Sequence, residues 1–360
     1  MAWTKVEFLE TGSAFFHSLQ SSLAHAERSI FMEFYIFRFD SLGKEILWLL
    51  EKAKRRGVRV FLRVDGVGSA DSLDELGKFA QSAGLEFEVY HPLPFTSARG
   101  HFGFQFVDSF FTRFRLINRR THRKLVIIDE RQAFSGGMNI DQRHSGTYST
   151  KPWHDLSVKL EGSPIGELLH AFWFRPFGRF TFRYILVNYN WRLRKKRNSW
   201  FTKSIQQAKQ RIWIITPYFT PTPALLYQLR KAQQRGVDIR LILSRDSDVF
   251  LSRMAALGLY RKVLNWGIQL YEIRNTILHR KLWVIDDIGV IGSTNFNHRS
   301  FLHDLELDVI FRDSDEQKKL VAMFLQDQAQ ATLVEEHQLG KIPMYKKFLS
   351  SIAGWISYWL

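Results

Sequence analysis

The chain has 360 residues, 45% hydrophobic and 24% charged, which excludes a disordered polymer and leaves room for two domains, each with its own core. The absence of cysteine excludes disulfides and thiolate metal sites. A net charge of +16 and a pI near 10.0 call for an anionic partner, either nucleic acid or a membrane rich in acidic lipids.

Met1 to Ser13 has no basic flank followed by an apolar core, so no signal peptide is expected. No charge-free run reaches the ~18 residues that a spanning helix needs. The chain is therefore expected to be made in the cytosol and to stay on that side. Ala26–Ile30 leads into an apolar run from Phe31 to Phe37 that reads as a buried strand. Gly43 to Arg56 reads as a helix with Ile46, Leu47, Leu50 and Ala53 on one face, and Gly57 is placed to cap it. Val58 to Val64 is the next strand, ending at Asp65.

Two aromatic and basic segments follow. In the first, Val107, Phe110, Phe111 and Phe114 share a helical face beside Arg113 and Arg115. In the second, Ala171 to Val187, Phe172, Trp173, Phe174, Phe177, Phe180 and Phe182 alternate with Arg175, Arg179 and Arg183. Either is a core element or an interfacial one facing lipid. Arg192, Arg194, Lys195, Lys196 and Arg197 then read as a solvated connection that also suits anionic headgroups.

The opening series returns after them. Ala208–Ile212 leads into Trp213 to Phe219, Leu225 to Arg235 is a helix, Gly236 caps it, and Val237 to Leu243 is a strand. Lys52-Ala53 and Arg56-Gly57-Val58 match Lys231-Ala232 and Arg235-Gly236-Val237. Self-similarity of this kind marks a duplicated unit, here two βαβ-type halves. The first half carries extra residues between Asp65 and His122. Near the C-terminus Met344, Phe348, Leu349, Ile352, Trp355, Ile356, Trp359 and Leu360 fall at helical spacing behind Lys341, Lys346 and Lys347. They make either a docked helix or an in-plane membrane helix.

Each half ends in the same short stretch. The first copy runs from His122, Arg123 and Lys124 through Leu125–Ile128 to Asp129, then Gly136, Gly137, Met138 and Asn139. The second runs from His279, Arg280 and Lys281 through Leu282–Ile285 to Asp286, then Gly292, Ser293, Thr294 and Asn295. Residues two apart on a strand share a face, so each copy presents an imidazole and an ammonium together, and an amide after a turn. Gathered cations and donors suit a phosphate. Histidine can attack phosphorus or move a proton near neutral pH, and two histidines allow both at once.

The pattern resembles the H-x-K-x4-D signature of the phospholipase D superfamily, from about Ala26 to Phe311. It is closest to bacterial cardiolipin synthases: Asn118-Arg119-Arg120, Trp153-x-Asp155, Glu161-Gly162, Pro217-Tyr218-Phe219 and Asn295 to Phe301 with Glu306 look like their motif regions. Without two N-terminal spans, the chain resembles their short type. The resemblance implies an α/β fold of two duplicated phospholipase D-like halves, with mixed sheets flanked by helices and a pseudo-twofold with one active site between the halves. It also implies a double displacement without metal or other cofactor. His122 is then the nucleophile and His279 the general acid, then base. Lys124, Lys281, Asn139, Ser293 and Asn295 would hold the phosphate. Asp155 and Glu306, each downstream of the histidine of its own half, would orient the rings. Asp129 and Asp286 complete the catalytic motifs and are expected to hold the turns. The turn after Asp286 is one position shorter than that after Asp129, which leaves the placement of Ser293 open.

The expected organisation is a first half at 1–187, a second at 188–340 and an amphipathic helix at 341–360. The expected activity is a membrane-associated phosphatidyltransferase making cardiolipin from phosphatidylglycerol, or a related phosphatidyl donor, through a phosphohistidine intermediate, peripheral or monotopic on the cytoplasmic side of the inner membrane. Its partners would be anionic phospholipid and the membrane surface. A phospholipase D hydrolysing lipid is the second reading. A nucleic-acid phosphodiesterase is the third, disfavoured by the aromatic-basic clusters.

Overall fold

The computed structural model describes residues 2–92, 118–146, 151–175, 182–312, 314–340 and 343–355. The chain divides into two compact units, and each borrows a few residues from the other half of the sequence. The first comprises Met1–Thr150, Leu156–Ile185 and His303–Leu307; the second comprises Lys151–Asp155, Leu186–Leu302 and Asp308–Leu360.

The first unit is built on strands β1 (Trp3–Leu9), β2 (Ser29–Phe34), β3 (Arg59–Asp65), β4 (Glu86–Tyr90), β5 (Leu125–Ile128) and β6 (Gln132–Gly136). With β7 (Trp153–His154) lying in the second unit, β8 (Ser157–Gly162) completes a sheet ordered β1-β8-β6-β5-β2-β3-β4. β2, β3 and β4 are parallel, and β5 turns antiparallel on β2. The helix Ser41–Arg55 forms where the apolar spacing predicts it. Its start is fixed by Asp40, whose carboxylate accepts from Gly43 N at 2.9 Å, and it buries Leu42, Ile46, Leu47, Leu50 and Ala53. It stops at Gly57, which takes a φ of +90°. Its buried face packs into a core with Phe15, Phe16 and Leu19 of the helix Gly12–Ala24 and with β2 and β3.

The second unit repeats this plan. Its strands are β9 (Ile185–Val187), β10 (Arg211–Thr216), β11 (Phe219–Thr220), β12 (Asp238–Ser244), β13 (Gln269–Ile273), β14 (Ile277–Leu278), β15 (Leu282–Ile285), β16 (Ile288–Gly292), β17 (Phe296–Asn297), β18 (Leu307–Arg312) and β19 (Thr332–Leu333). Its main sheet runs β19-β13-β12-β10-β15-β16-β18-β9. β10, β12 and β13 are parallel and β15 is antiparallel on β10, as β2, β3, β4 and β5 are in the first unit. The helix Pro223–Gln234 ends before Gly236, at φ +85°. The helices Ser41–Arg55 and Pro223–Gln234 close in the same way: Arg56 donates to Ala26 O at 3.0 Å and Arg235 to Ala208 O at 3.2 Å. Both units are mixed α/β sheets with helices.

Three membrane-facing expectations meet the structure here. Phe172 and Phe182 are buried in the first unit, and Arg63 stacks on Phe172 at 4.8 Å and on Phe174 at 4.7 Å. Phe172 and Phe174 thus cover buried guanidinium groups instead of facing lipid. Arg197 is no solvated linker charge: it lies fully buried on the helix Trp191–Gln207 and donates to Thr294 Oγ1, Ser300 O and Asp308. The helix Met344–Trp355 docks on the helix Phe250–Leu264, where Leu349 and Ala353 meet Met254, Ala255 and Leu257. Its Met344, Tyr345 and Ile352 remain exposed. Phe102 to Phe114, Phe177, Phe180, Arg179, Lys341 and Ile356 to Leu360 lie outside the described residues. Among the described residues, no helix is long and apolar enough to cross a membrane.

Candidate active site

In the first unit β5 puts His122 and Lys124 just before its first residue and Asp129 just after its last. Asp129 therefore stands at the far end of a strand rising roughly 3.3 Å per residue, away from the histidine it is grouped with in the motif. It takes a φ of +53° and accepts from Glu27 N, Arg28 N and Ser29 N at 3.0, 2.7 and 2.9 Å. Asp286 does the same at φ +46°, accepting from Lys209 N, Gln210 N and Arg211 N at 2.9, 2.9 and 3.0 Å. The Asp129 carboxyl is held below its usual range: burial pushes it up, but those backbone donors outweigh burial. The motif aspartates tie the strand carrying the histidine to the start of its neighbour, at the end of that strand away from the histidine.

The histidines are buried, His122 at 8% exposure and His279 at 5%, and so are Lys124 and Lys281. Each ring has its Nδ1 on a buried carboxylate, but the pairing is crossed. His122 Nδ1 lies 3.2 Å from Glu306 Oε2, within the first unit, because His303–Leu307 folds there. His279 Nδ1 lies 2.7 Å from Asp155 Oδ2, within the second, because Lys151–Asp155 folds there. The reading that each acid serves the histidine of its own half is corrected accordingly. The backbone explains the exchange. His122 N donates to Leu305 O at 2.9 Å and Leu305 N to Arg120 O at 2.8 Å. His279 N donates to His154 O at 2.8 Å, and β14 pairs in parallel with β7. A short bridge to the borrowed segment thus fixes the chain just before each motif and brings the acid with it.

A carboxylate at Nδ1 fixes the tautomer, with the proton on Nδ1 and the lone pair on Nε2. An aromatic ring packs on each imidazole, Tyr35 on His122 at 5.1 Å and Trp153 on His279 at 5.3 Å between centroids. Lys124 Nζ donates to His122 O at 2.7 Å and Lys281 Nζ likewise to His279 O, so each ammonium is held beside its histidine. The asparagines differ. Asn139 Oδ1 accepts from Ile36 N at 3.1 Å, whereas Asn295 Oδ1 is buried with no hydrogen-bond partner among the described residues. Ser293 is buried in the same turn.

Behind the motif lies a set of supporting groups, of which Glu33 and Arg63 carry no motif signal in the sequence. Arg123 and Arg63 converge on Glu33, fully buried, with Arg123 Nη2 at 2.7 Å and Arg63 Nη1 at 3.3 Å from its carboxylate. Burial raises the Glu33 carboxyl, but Arg123, Arg63 and Thr121 together hold it below its usual range. The same arginines donate to Ala171 O and Phe172 O at 2.9 and 2.7 Å, satisfying the end of the helix Ile165–Phe172. Asp65 accepts from Thr121 N, next to His122, at 2.8 Å, and burial pushes its carboxyl up to about 6. Glu33 and Asp65 sit on β2 and β3, and an acid within an apolar strand was the available signal.

A family model described as cardiolipin synthase, PLD-like domain, matches residues 19–150 and again residues 201–328. The chain belongs to this family of the phospholipase D superfamily. Among curated relatives it is 30% identical to cardiolipin synthase B of Salmonella typhimurium, covering 86% of this chain and 76% of that one. It is equally 30% identical to cardiolipin synthase B of Escherichia coli strain K12 over the same shares. A probable cardiolipin synthase of Bacillus subtilis is 26% identical over 96% of this chain and 69% of its own length. Among solved structures, the phosphatidylserine synthase of Haemophilus influenzae Rd KW20 superposes with a TM-score of 0.72 at 13% identity, over 99% of this chain and 95% of that one. That likeness shows a shared fold, and the family model, matching once in each half, shows that the halves are phospholipase D-like.

Proposed function

We propose that this phospholipase D-superfamily phosphatidyltransferase joins two phosphatidylglycerol molecules, or phosphatidylglycerol and a related phosphatidyl donor, into cardiolipin at the cytoplasmic face of a membrane. The observation that carries the reading is the pair of buried H-x-K motifs, each with its imidazole Nδ1 on a carboxylate. His122 Nε2 attacks the donor phosphorus, and the bond from phosphorus to the glycerol oxygen breaks as His279, entering this step as the imidazolium, gives that oxygen its Nε2 proton. The acceptor hydroxyl then passes its proton to His279, its oxygen bonds to phosphorus, and the bond to His122 breaks. Lys124, Lys281, Asn139, Asn295 and Ser293 neutralise and hold the phosphoryl oxygens. The ammonium pair supplies the charge that a divalent ion would bring, so the reaction proceeds without one.

The +16 charge and the exposed Met344, Tyr345 and Ile352 support peripheral association with an anionic bilayer. The test is incubation of the full chain with phosphatidylglycerol vesicles in excess chelator, with mass spectrometry of the lipids. Cardiolipin and free glycerol are expected. Phosphatidic acid alone would make the protein a hydrolase, and cleavage of DNA with no lipid product would move it to the nucleases.

A further inference from the structure

Transfer between two phosphatidylglycerol molecules involves two phosphates, and only the donor's is attacked. The acceptor's phosphate stays intact throughout. It needs its own cations, outside the histidine motifs and away from carboxylates.

One cavity of the second unit meets these requirements. It has a volume of about 540 Å³ and lies between the helices Pro223–Gln234 and Phe250–Leu264, with Ser350 of the C-terminal helix at its edge. Leu226, Leu259 and Trp266 give it an apolar wall, and Tyr227, 54% exposed, stands on its rim. Arg230 and Lys262 both lie over the Trp266 ring, at 5.6 and 5.5 Å from its centroid. No acidic residue lines the cavity, and among the described residues neither cation pairs with a carboxylate. Thr220 and His298 also line it; Thr220 pairs with Asn297 across β11 and β17, two residues beyond Asn295 of the motif.

Two other cavities among the described residues fail on charge. In that of about 560 Å³, Arg253 and Arg245 are already bound to Glu272. In that beside Trp173, Arg59 is held by Glu86 at 2.9 Å.

We infer that this groove seats the acceptor, an anionic phospholipid whose unreacted phosphate lies against Arg230 and Lys262 and whose acyl chain lies along Leu226, Leu259 and Trp266. The inference rests on the transferase reading above, because a hydrolase needs no such seat. Its measure is the ratio of cardiolipin to phosphatidic acid formed from phosphatidylglycerol vesicles, since water competes for the same phosphoryl intermediate without using the groove. Arg230→Glu with Lys262→Glu lowers that ratio at least about tenfold, two surface cations each being worth about a factor of five near an anionic lipid. Leu259→Trp, which fills the apolar wall, lowers it in the same direction. A ratio equal to that of the unmodified chain in all variants overturns the inference.

A second readout does not depend on turnover. Phosphatidylglycerol brominated in its acyl chains quenches the full chain more than the Trp266→Phe variant, and brominated phosphatidylcholine does not. Equal quenching of both proteins by brominated phosphatidylglycerol overturns the groove. If the unmodified chain forms neither product from phosphatidylglycerol, the transferase reading itself falls.

Discussion

The two units carry one motif and support it differently. Both place His and Lys before a buried strand, both hold the ring from a borrowed segment, and both use the motif Asp on three backbone N–H groups. Behind the motif they part. Arg123 is clamped by Glu33 from the neighbouring strand, with a second arginine shared. Its counterpart Arg280 is held by Asp327 from a helix, at 2.9 Å, with His154 on the other oxygen at 2.7 Å. Met138 is core in the first unit, whereas Thr294 in the second binds Asp308 and Arg197. Buried Asp65 has Ser244 as its counterpart, which donates to Asp246 O at 3.0 Å. The His-Lys pair and its strand are alike in the two units, while the scaffold behind them carries different charges. The two histidines therefore sit in unequal surroundings, which is what unequal roles require.

The largest test of that inequality removes the histidines. His122→Ala and His279→Ala should each lower turnover by at least roughly a thousandfold. Only His279→Ala should leave a phosphatidyl adduct, found on His122 by mass spectrometry of the intact protein. An adduct on His279 in the reverse variant would exchange the roles. The crossed acids sharpen the same comparison. Glu306→Gln should move the ring NMR signals of His122 and spare those of His279, and Asp155→Asn should do the opposite. Each should cost roughly ten- to a hundredfold in rate.

The arginine clamps come next. Glu33→Gln leaves the buried Arg123 without a carboxylate and takes from Arg63 one of its two, Glu88 at 2.9 Å remaining, and should destabilise the first unit by about 3–5 kcal/mol in urea unfolding. Asp327→Asn leaves a single arginine without its carboxylate, so its cost should be smaller by at least about 1 kcal/mol. Equal losses would show that the two clamps are energetically the same despite their different make-up.

Asp65 against Ser244 gives the comparison a pH dependence. The Asp65 carboxyl, raised to about 6 from 3.8, keeps its proton in the folded state at pH values where the unfolded chain has lost it. Between pH 4 and 6 the folded form thus binds more protons, and stability falls as pH rises. The whole effect amounts to about 3 kcal/mol and is complete above pH 6. Asp65→Asn should flatten the slope in urea midpoints measured from pH 4 to 7. A slope that survives the substitution would assign it to another group.

Much of this was legible in the sequence. The helix ending at Gly57, the strand into Asp65 and their repeats at Gly236 and Ser244 follow from apolar spacing and glycine placement, which are local. Both H-x-K copies were visible because the repeat is written twice. The pairing of Asp155 with His279 was not, because position along the chain does not say which half a five-residue segment folds into; backbone bridges at Leu305 and His154 decide that. Nor was the fate of Phe172, Phe174 and Arg197. Aromatic and basic residues side by side read alike whether they face lipid or cover one another, and only the partners, Arg63 and Asp308, tell them apart.

The smallest prediction concerns the start of the matching helices. Asp40 has two duties: Oδ1 accepts from Gly43 N at 2.9 Å and Oδ2 from Gln142 N at 2.8 Å, joining the helix to the segment after Asn139. Thr222 has one capping bond, to Leu225 N at 3.4 Å, and Pro223 already presets the first helical residue. Asp40→Ala removes two bonds, one of them between distant parts of the chain, and should cost about 2 kcal/mol. Thr222→Ala removes one long bond from a helix start that proline still constrains, and should cost about 0.5 kcal/mol. Urea unfolding of the two variants measures the difference directly. If Thr222→Ala costs as much as Asp40→Ala, the distant bond to Gln142 adds nothing, and the two helices begin on equal terms in spite of their different caps.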